Sequence, residues 1–212
     1  MKEPKEAKVS QRKQPKQARS AELLASILQA ATQVLAREGP QRFTTARVAE
    51  RAGVSVGSIY QYFPSKGAML FRLQTDEWRQ TTDLLRKILE DGRRSPPQRL
   101  RVLVHAFLQS ECDEAAVRFA LNKAAPLYRD APEARDAKTS GDRTIKAFMK
   151  EALPKAPEKT RTLAGKLIAT TLTTVGKTFS EVPRTHAEIE AYADAMANMF
   201  CSYLKSIDET RI

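Results

Sequence analysis

Glycine and proline punctuate this chain at intervals that leave room for helices and for little else. Between those breakers the apolar residues recur every three or four positions, and no alternating apolar–polar run exceeds a few residues. The segment from Ser20 to Gly39, SAELLASILQAATQVLAREG, places Leu23, Leu24, Ile27, Ala31, Val34 and Leu35 at helical spacing, with Ser20 as a candidate N-cap and Gly39-Pro40 as the stop. A further long helix is expected from Lys66 through Trp78 to Asp91-Gly92, ahead of Ser95-Pro96-Pro97. Leu100, Leu103, Val104, Phe107 and Leu108 mark the next, and Ala115, Phe119 and Leu121 mark another that Pro126 stops. Ala134 to Leu153 reads as a weaker amphipathic helix bounded by Pro132 and Pro154. Glu158 to Phe179 and Thr185 to Ile207 close the chain. The expected fold is all-α with about nine helices and no internal repeat.

At 212 residues and 42% hydrophobic composition, the chain is long enough for one domain or two small ones with a buried core. Its two cysteines, Cys112 and Cys201, stand in no CxxC or Cys/His spacing, so neither a disulfide framework nor a metal site is indicated. No cofactor motif is present, no apolar run reaches membrane-spanning length, and the N-terminus lacks the apolar stretch of a secretory signal. The expectation is a cytoplasmic protein with no membrane partner. The net charge is +11, and residues 1 to 70 hold twelve Lys or Arg against five acids. Such a localised basic excess favours a polyanion, with nucleic acid ahead of a membrane surface. Residues 1–19, rich in Lys, Gln and Pro and without apolar periodicity, read as a disordered basic arm.

The stretch Thr44 to Lys66, TTARVAERAGVSVGSIYQYFPSK, holds two short helical patterns around Gly53. Thr44 or Thr45 caps the first, whose inner face is Val48 and Ala49. Gly53 supplies the positive φ of a tight turn, Val54 plugs the corner, and Ser55 caps the second, from which Ile59 and Phe63 point inward. Small Ala49, four residues before Gly53, lets the two helices approach closely, which is the packing pattern of a helix-turn-helix. On the outward face of the second helix, Ser58, Tyr60, Gln61 and Tyr62 offer hydroxyl, amide and aromatic groups suited to phosphates and base edges, while Gly57 permits close approach.

FTTARVAERAGVSVGSIYQYFPSKGAML resembles the N-terminal signature of the tetracycline-repressor-like (TetR) transcriptional regulators, in a dense match over roughly Ser20 to Leu73. The resemblance implies a helix-turn-helix DNA-binding domain over 20–73 and a ligand-sensing and dimerisation domain over 74–212. It implies a homodimer, most simply a repressor, that binds a palindromic operator in double-stranded DNA and is released by a small apolar or amphipathic effector. The DNA contacts it implies fall on Thr44, Thr45 and Arg47, on Val56, Gly57, Ser58, Tyr60, Gln61 and Tyr62, and on Lys66. Thr45, Tyr60, Tyr62 and Lys66 act as phosphate clamps in this reading, and Val56, Ser58 and Gln61 as base readers. Spacing from Ile59 sets Val56 on the inner face, whereas the resemblance sets it at the groove opposite a thymine methyl, and this position is apolar here where the family usually carries a larger polar group.

The candidate effector-pocket residues are Trp78, His105, Phe107, Phe119, Tyr128, Phe148, Met149 and Thr174. Pairing of the last two helices is expected through Leu167, Thr171, Met196, Phe200 and Tyr203, because those helices carry more large apolar residues than one inward stripe requires. No catalytic constellation is evident: His105 and His186 lie on different expected helices with no motif around either, so an enzyme is not expected. The competing reading is a nonspecific architectural DNA-binding protein.

Overall fold

Gly39-Pro40 bends the first helix instead of ending it. The computed structural model describes residues 18–124 and 132–209. In it α1 (Ala18–Arg42) runs through a kink at Gly39, where φ is 73° and ψ 172°, a conformation open to glycine. It is followed by α2 (Thr45–Ala52), α3 (Val56–Tyr62), α4 (Lys66–Leu89), α5 (Pro96–Asp113), α6 (Ala115–Ala124), α7 (Pro132–Ala152), α8 (Glu158–Phe179) and α9 (His186–Glu209). The fold is all-α, as expected, and no strand occurs among the described residues. Residues 1–17 of the expected arm lie outside the described residues.

Local chemistry accounts for most boundaries. Ser95 and Gln98 form a capping box at the start of α5, with the Ser95 N–H donating to Gln98 Oε1 at 2.9 Å and Pro96 and Pro97 in the first turn, where a missing N–H costs nothing. Thr185 caps α9: its Oγ1 accepts the Glu188 N–H at 3.3 Å, and the Glu188 carboxylate accepts the Thr185 N–H at 2.8 Å. That bond holds the Glu188 carboxyl below the usual range. Besides the Gly39-Pro40 stop, expected boundaries move at Pro132 and Ser20. Pro132 is the first residue of α7, a position proline suits, instead of a barrier before it. Ser20 lies inside α1, which already begins at Ala18, so it is not the cap.

The chain divides into two compact units. The first runs to Trp78 and takes in the segment from Ala116 to Ala134. Its core gathers Ile27, Val34 and Leu35 of α1, Val48 and Ala49 of α2, Ile59 and Phe63, and Met69, Leu70 and Leu73 of α4. Ala120 and Leu121 of α6 are buried in the same core, and Arg118 of α6 pairs with Glu77 of α4 at 2.7 Å. The motif that sets a boundary after Leu73 in the sequence stops short of this unit's edge, because the apolar side of α6 carries no local signal of which core it joins.

The second unit is built on α5, which packs along α9 and α8. Leu100, Leu103, Val104 and Leu108 meet Ile168 and Leu172 of α8, Ile189, Met196 and Phe200 of α9, and Phe148 and Met149 of α7. Arg99 is buried there. Its guanidinium donates to Leu89 O and to Glu151, each at 2.5 Å, and stacks on Phe148, so the charge is paired with a carboxylate at the edge of the core. Cys112 and Cys201 are free, and burial pushes both thiols up. No helix among the described residues is long and apolar enough to cross a membrane, and none of their His, Cys, Asp and Glu side chains cluster as a metal site would require.

Helix α8 lies close to α5 through Gly176: a Cβ added there would sit 2.9 Å from Phe107 Cε1 and 3.3 Å from Glu111 Cγ. Gly176→Val is therefore expected to lower the unfolding free energy by about 1–3 kcal/mol through overpacking. Gly141→Ala in α7, where an added Cβ meets nothing within 4 Å, should raise it by about 0.5–1 kcal/mol by removing helix-interior glycine entropy. Urea midpoints of the two variants against the parent chain check both signs.

Candidate nucleic-acid interface

The turn between α2 and α3 is set by backbone bonds before any side chain contributes. Thr44 Oγ1 accepts the Arg47 N–H at 3.2 Å and starts α2. Gly53, with φ 66° and ψ 32°, ends it in the left-handed region. The Gly53 N–H bonds Glu50 O at 3.2 Å and the Val54 N–H bonds Ala49 O at 3.0 Å, the paired closure of a Schellman motif. Ser55 then caps α3, its Oγ accepting the Ser58 N–H at 3.0 Å. Ile59 and Tyr62 are the buried residues of α3, which leaves Val56, Gly57, Tyr60 and Gln61 on the opposite side, all exposed.

The expected contact residues divide accordingly. Tyr60 is 44% exposed and Val56 38%, and Gln61 and Thr44 are exposed as well. Val56 thus faces outward, and the inner position suggested by its spacing from Ile59 is corrected: in a seven-residue helix the inward row is set by Ile59 and Tyr62, three apart.

Tyr62 requires the opposite correction. It was expected on the outer face as a phosphate clamp, but it is 2% exposed, and its hydroxyl lies 2.8 Å from Ser20 Oγ. It ties α3 to the start of α1. Ser58 is half-buried, with its hydroxyl 2.9 Å from Ser55 Oγ, so it is engaged with the cap of its own helix.

Two cations of the expected set also have partners. Arg47 is ion-paired with Glu38, in the last turn before the Gly39 kink. Lys66 donates to Pro40 O at 2.7 Å and stands 5.9 Å from the Phe43 ring. Its amine thus secures the carbonyl exposed by the kink, one of the orphan groups at a helix end. Thr45 is half-buried. Sequence reasoning missed Glu38, which stands nine residues before its partner, outside any motif window. Arg51, bonded to Gln33 Oε1 at 2.8 Å, adds a further polar tie between α2 and α1.

Comparison with known proteins decides the family. A profile described as bacterial regulatory proteins of the tetR family matches residues 27–73, and one described as tetracyclin repressor-like, C-terminal domain matches residues 95–207. The chain belongs to the TetR family. Among relatives, a nucleoid occlusion factor, SlmA, of Vibrio campbellii is 36% identical over 83 residues, which span 39% of this chain and 42% of that protein. A TetR-family protein of Mesorhizobium loti superposes with a TM-score of 0.69 at 18% identity, covering 88% of this chain and 98% of the other. PfmR of Thermus thermophilus gives 0.65 at 17% identity, covering 83% and 97%. At such identities the structures establish the fold shared by this TetR-family regulator.

The C-terminal unit of the regulator distributes its expected residues differently from the sequence reading. Phe107, Phe148 and Met149 are buried core residues. His105 is half-buried and held between Glu190, at 3.2 Å, and Asp194, at 3.0 Å, across the α5–α9 contact. Its two ring nitrogens thus bridge α5 to two carboxylates of α9. Thr174 is exposed beside a groove between α8 and α9 that Thr178, Phe179, Tyr192 and Ala195 also line. Trp78 and Phe119 belong to the first unit: Trp78 is half-buried against its core, and Phe119 is exposed with the Lys123 amine 4.3 Å from its ring. Tyr128 lies outside the described residues.

Of the expected pairing residues, Met196 and Phe200 are buried in their own unit, because α9 turns Ile189, Ala193, Met196, Ala197, Phe200 and Leu204 inward. Thr171 and Tyr203 are half-buried. The large apolar side chains that face outward on these helices are Leu163 and Leu167, the latter 48% exposed, with Tyr192 and Met199, the latter 52% exposed.

Tyr62→Phe removes one hydroxyl from a part-buried pair and should lower the unfolding free energy by about 1 kcal/mol. Tyr60→Phe, altering an exposed group, should change stability by less than about 0.5 kcal/mol. Chemical denaturation of the two variants separates the structural tyrosine from the outward one.

Proposed function

We propose that this TetR-family DNA-binding regulator acts as a homodimeric repressor, seating α3 of each subunit in the major groove of a palindromic operator and leaving it when a small apolar or amphipathic effector binds the C-terminal unit. The observation that carries the reading is the division of α3: one side is fixed by the buried Ile59 and Tyr62, and Val56, Tyr60 and Gln61 are exposed. Side chains of that kind on the second helix of a helix-turn-helix are placed for base edges and phosphates. The basic excess of the first seventy residues supports a polyanionic partner. No catalytic role is proposed for any residue.

The dimer is proposed through α8 and α9, with Leu163, Leu167, Tyr192 and Met199 as the apolar contacts in place of Met196 and Phe200. Pairing of these helices with their two-fold mates buries side chains that a monomer leaves in water. The competing reading, DNA binding without sequence preference, draws on the same positive charge and predicts a different response to competitor. A regulator of this kind should hold its selected duplex against unrelated DNA with a preference of roughly 10³-fold or more, while an architectural binder should be displaced by both alike.

Two variants test the reading. Gln61→Ala should change the preferred base at one position of each half-site in a selection from random duplexes, and an unaltered profile would remove Gln61 from readout. Leu167→Glu combined with Met199→Glu should give folded monomers with operator affinity lowered by at least about tenfold, since one helix-turn-helix reads too few base pairs. A retained dimer by sedimentation would move the interface elsewhere.

A further inference from the structure

Two charges of the first unit stand where helix electrostatics disfavours them. The dipole of a helix favours anions in its first turn and cations in its last. Glu38 is the residue before the Gly39 kink, where the regular part of α1 ends, and Arg47 lies in the first turn of α2. Arg47 is also the third residue after the Thr44 cap, the place where a capping box would carry Glu or Gln. Neither helix gains from the charge it carries at that end, and departures from a local rule are expected where function requires them. The two are partners, Arg47 Nη1 being ion-paired with Glu38 Oε2. That oxygen is enclosed and no hydrogen bond reaches it, so the Arg47 guanidinium is the charge that compensates it. The Arg47 side chain is 41% exposed, and no other partner of its guanidinium occurs among the described residues. Its backbone N–H donates to Thr44 Oγ1 at 3.2 Å. Both ends of the residue are thus fixed, while part of its planar fork stays open to solvent.

Resting on the reading of α2 and α3 as a DNA-binding helix-turn-helix, we propose that Glu38 is a positioning residue: its carboxylate holds the Arg47 guanidinium in the orientation that meets a backbone phosphate, once in each half of the DNA site. The first helix of a helix-turn-helix crosses the DNA backbone, so a cation exposed in its first turn is aligned with phosphate. A free arginine loses much of its rotamer freedom when it clamps an anion. An arginine already fixed by a carboxylate has lost that freedom on folding. The guanidinium carries several N–H donors in a planar fork, so engaging one edge with Glu38 leaves others for phosphate oxygens. The opposing effect is repulsion between the Glu38 carboxylate and the phosphate, which solvent and salt screen. Positioning wins in this balance. Removing a negative charge from the surface weakens DNA binding, the reverse of what counting charges gives.

The test uses the full-length protein and two duplexes, the best-bound sequence from a randomised pool and an unrelated one of equal length, titrated from about 50 to 200 mM salt. Glu38→Gln keeps the length and an acceptor and removes the charge. It should weaken binding to both duplexes alike by about tenfold, because phosphate contacts carry no sequence information. The slope of log K against log salt should become shallower by about 2, one phosphate contact in each half-site. Arg47→Ala should do the same, and adding Glu38→Gln to Arg47→Ala should cause no further loss. Tighter binding by Glu38→Gln means that the carboxylate only repels phosphate, and overturns the proposal. Weaker binding with an unchanged slope makes the pair a structural tie between α1 and α2 and overturns it equally, as does an Arg47→Ala protein that binds like the parent. Should melting curves show that Glu38→Gln does not fold, Glu38→Asp, which keeps the charge and shortens its reach, takes its place with the same expected loss. The two readings fail separately. If no sequence enriches, the regulator reading falls and the effect of Glu38 is still decided on the unrelated duplex. If the variants match the parent on a duplex that did enrich, the positioning role falls and the regulator reading stands.

Discussion

Helices of eight and seven residues are marginal in water, so the outward face of α3 exists because its inward face is buried. Ile59 and Phe63 sit in the same core as Ile27 and Leu35 of α1 and Met69 and Leu70 of α4. Complete burial of side chains of this size is worth about 1.5–3 kcal/mol each, more than helix propensity can supply over two turns. Polar ties then fix the register of what the core has gathered. Tyr62 bonds Ser20, Arg51 bonds Gln33, and Lys66 bonds Pro40. All three link the helix-turn-helix or the start of α4 to α1, which makes the first helix the reference against which the recognition face is set.

The Gly39 kink belongs to the same scheme. By turning the chain after Glu38, it brings the carboxylate that pairs with Arg47 and the Pro40 carbonyl that accepts from Lys66 onto one short stretch. Two cations assigned to DNA contact by resemblance are thus held in place by groups beside a single bend. Charge-assisted bonds of this kind restrict long side chains that would otherwise sample many rotamers.

Much of this was legible in the residues, for reasons that differ by position. Gly53 and Ser55 were readable because a left-handed turn and an N-cap each demand a narrow set of residues, and both demands were met at the spacing a tight corner requires. The end of α8 at Phe179 was readable from periodicity alone. Tyr62 was not, because Tyr60 and Tyr62 have the same chemistry and a helix of two turns gives too few repeats to say which one faces inward. The same ambiguity affects α9, where Met196, Met199, Phe200 and Tyr203 span a wide arc. Only the docking of α9 on α5 decides that Met196 and Phe200 are core and Met199 is surface. The placement of α6 in the first core is likewise a tertiary outcome that no local pattern encodes.

The split of α3 into a fixed side and an idle side bears on how such a protein changes over generations. Most substitutions in a folded domain erode a small stability margin, and that erosion limits which new activities are reachable. Val56, Tyr60 and Gln61 lie on the exposed side of α3 and outside the buried core, so their exchange leaves no core position empty. A duplicated copy can therefore drift to a new DNA sequence through single steps that all leave the domain folded. Ile59 and Tyr62, one residue away on either side, hold the reading frame of that change constant.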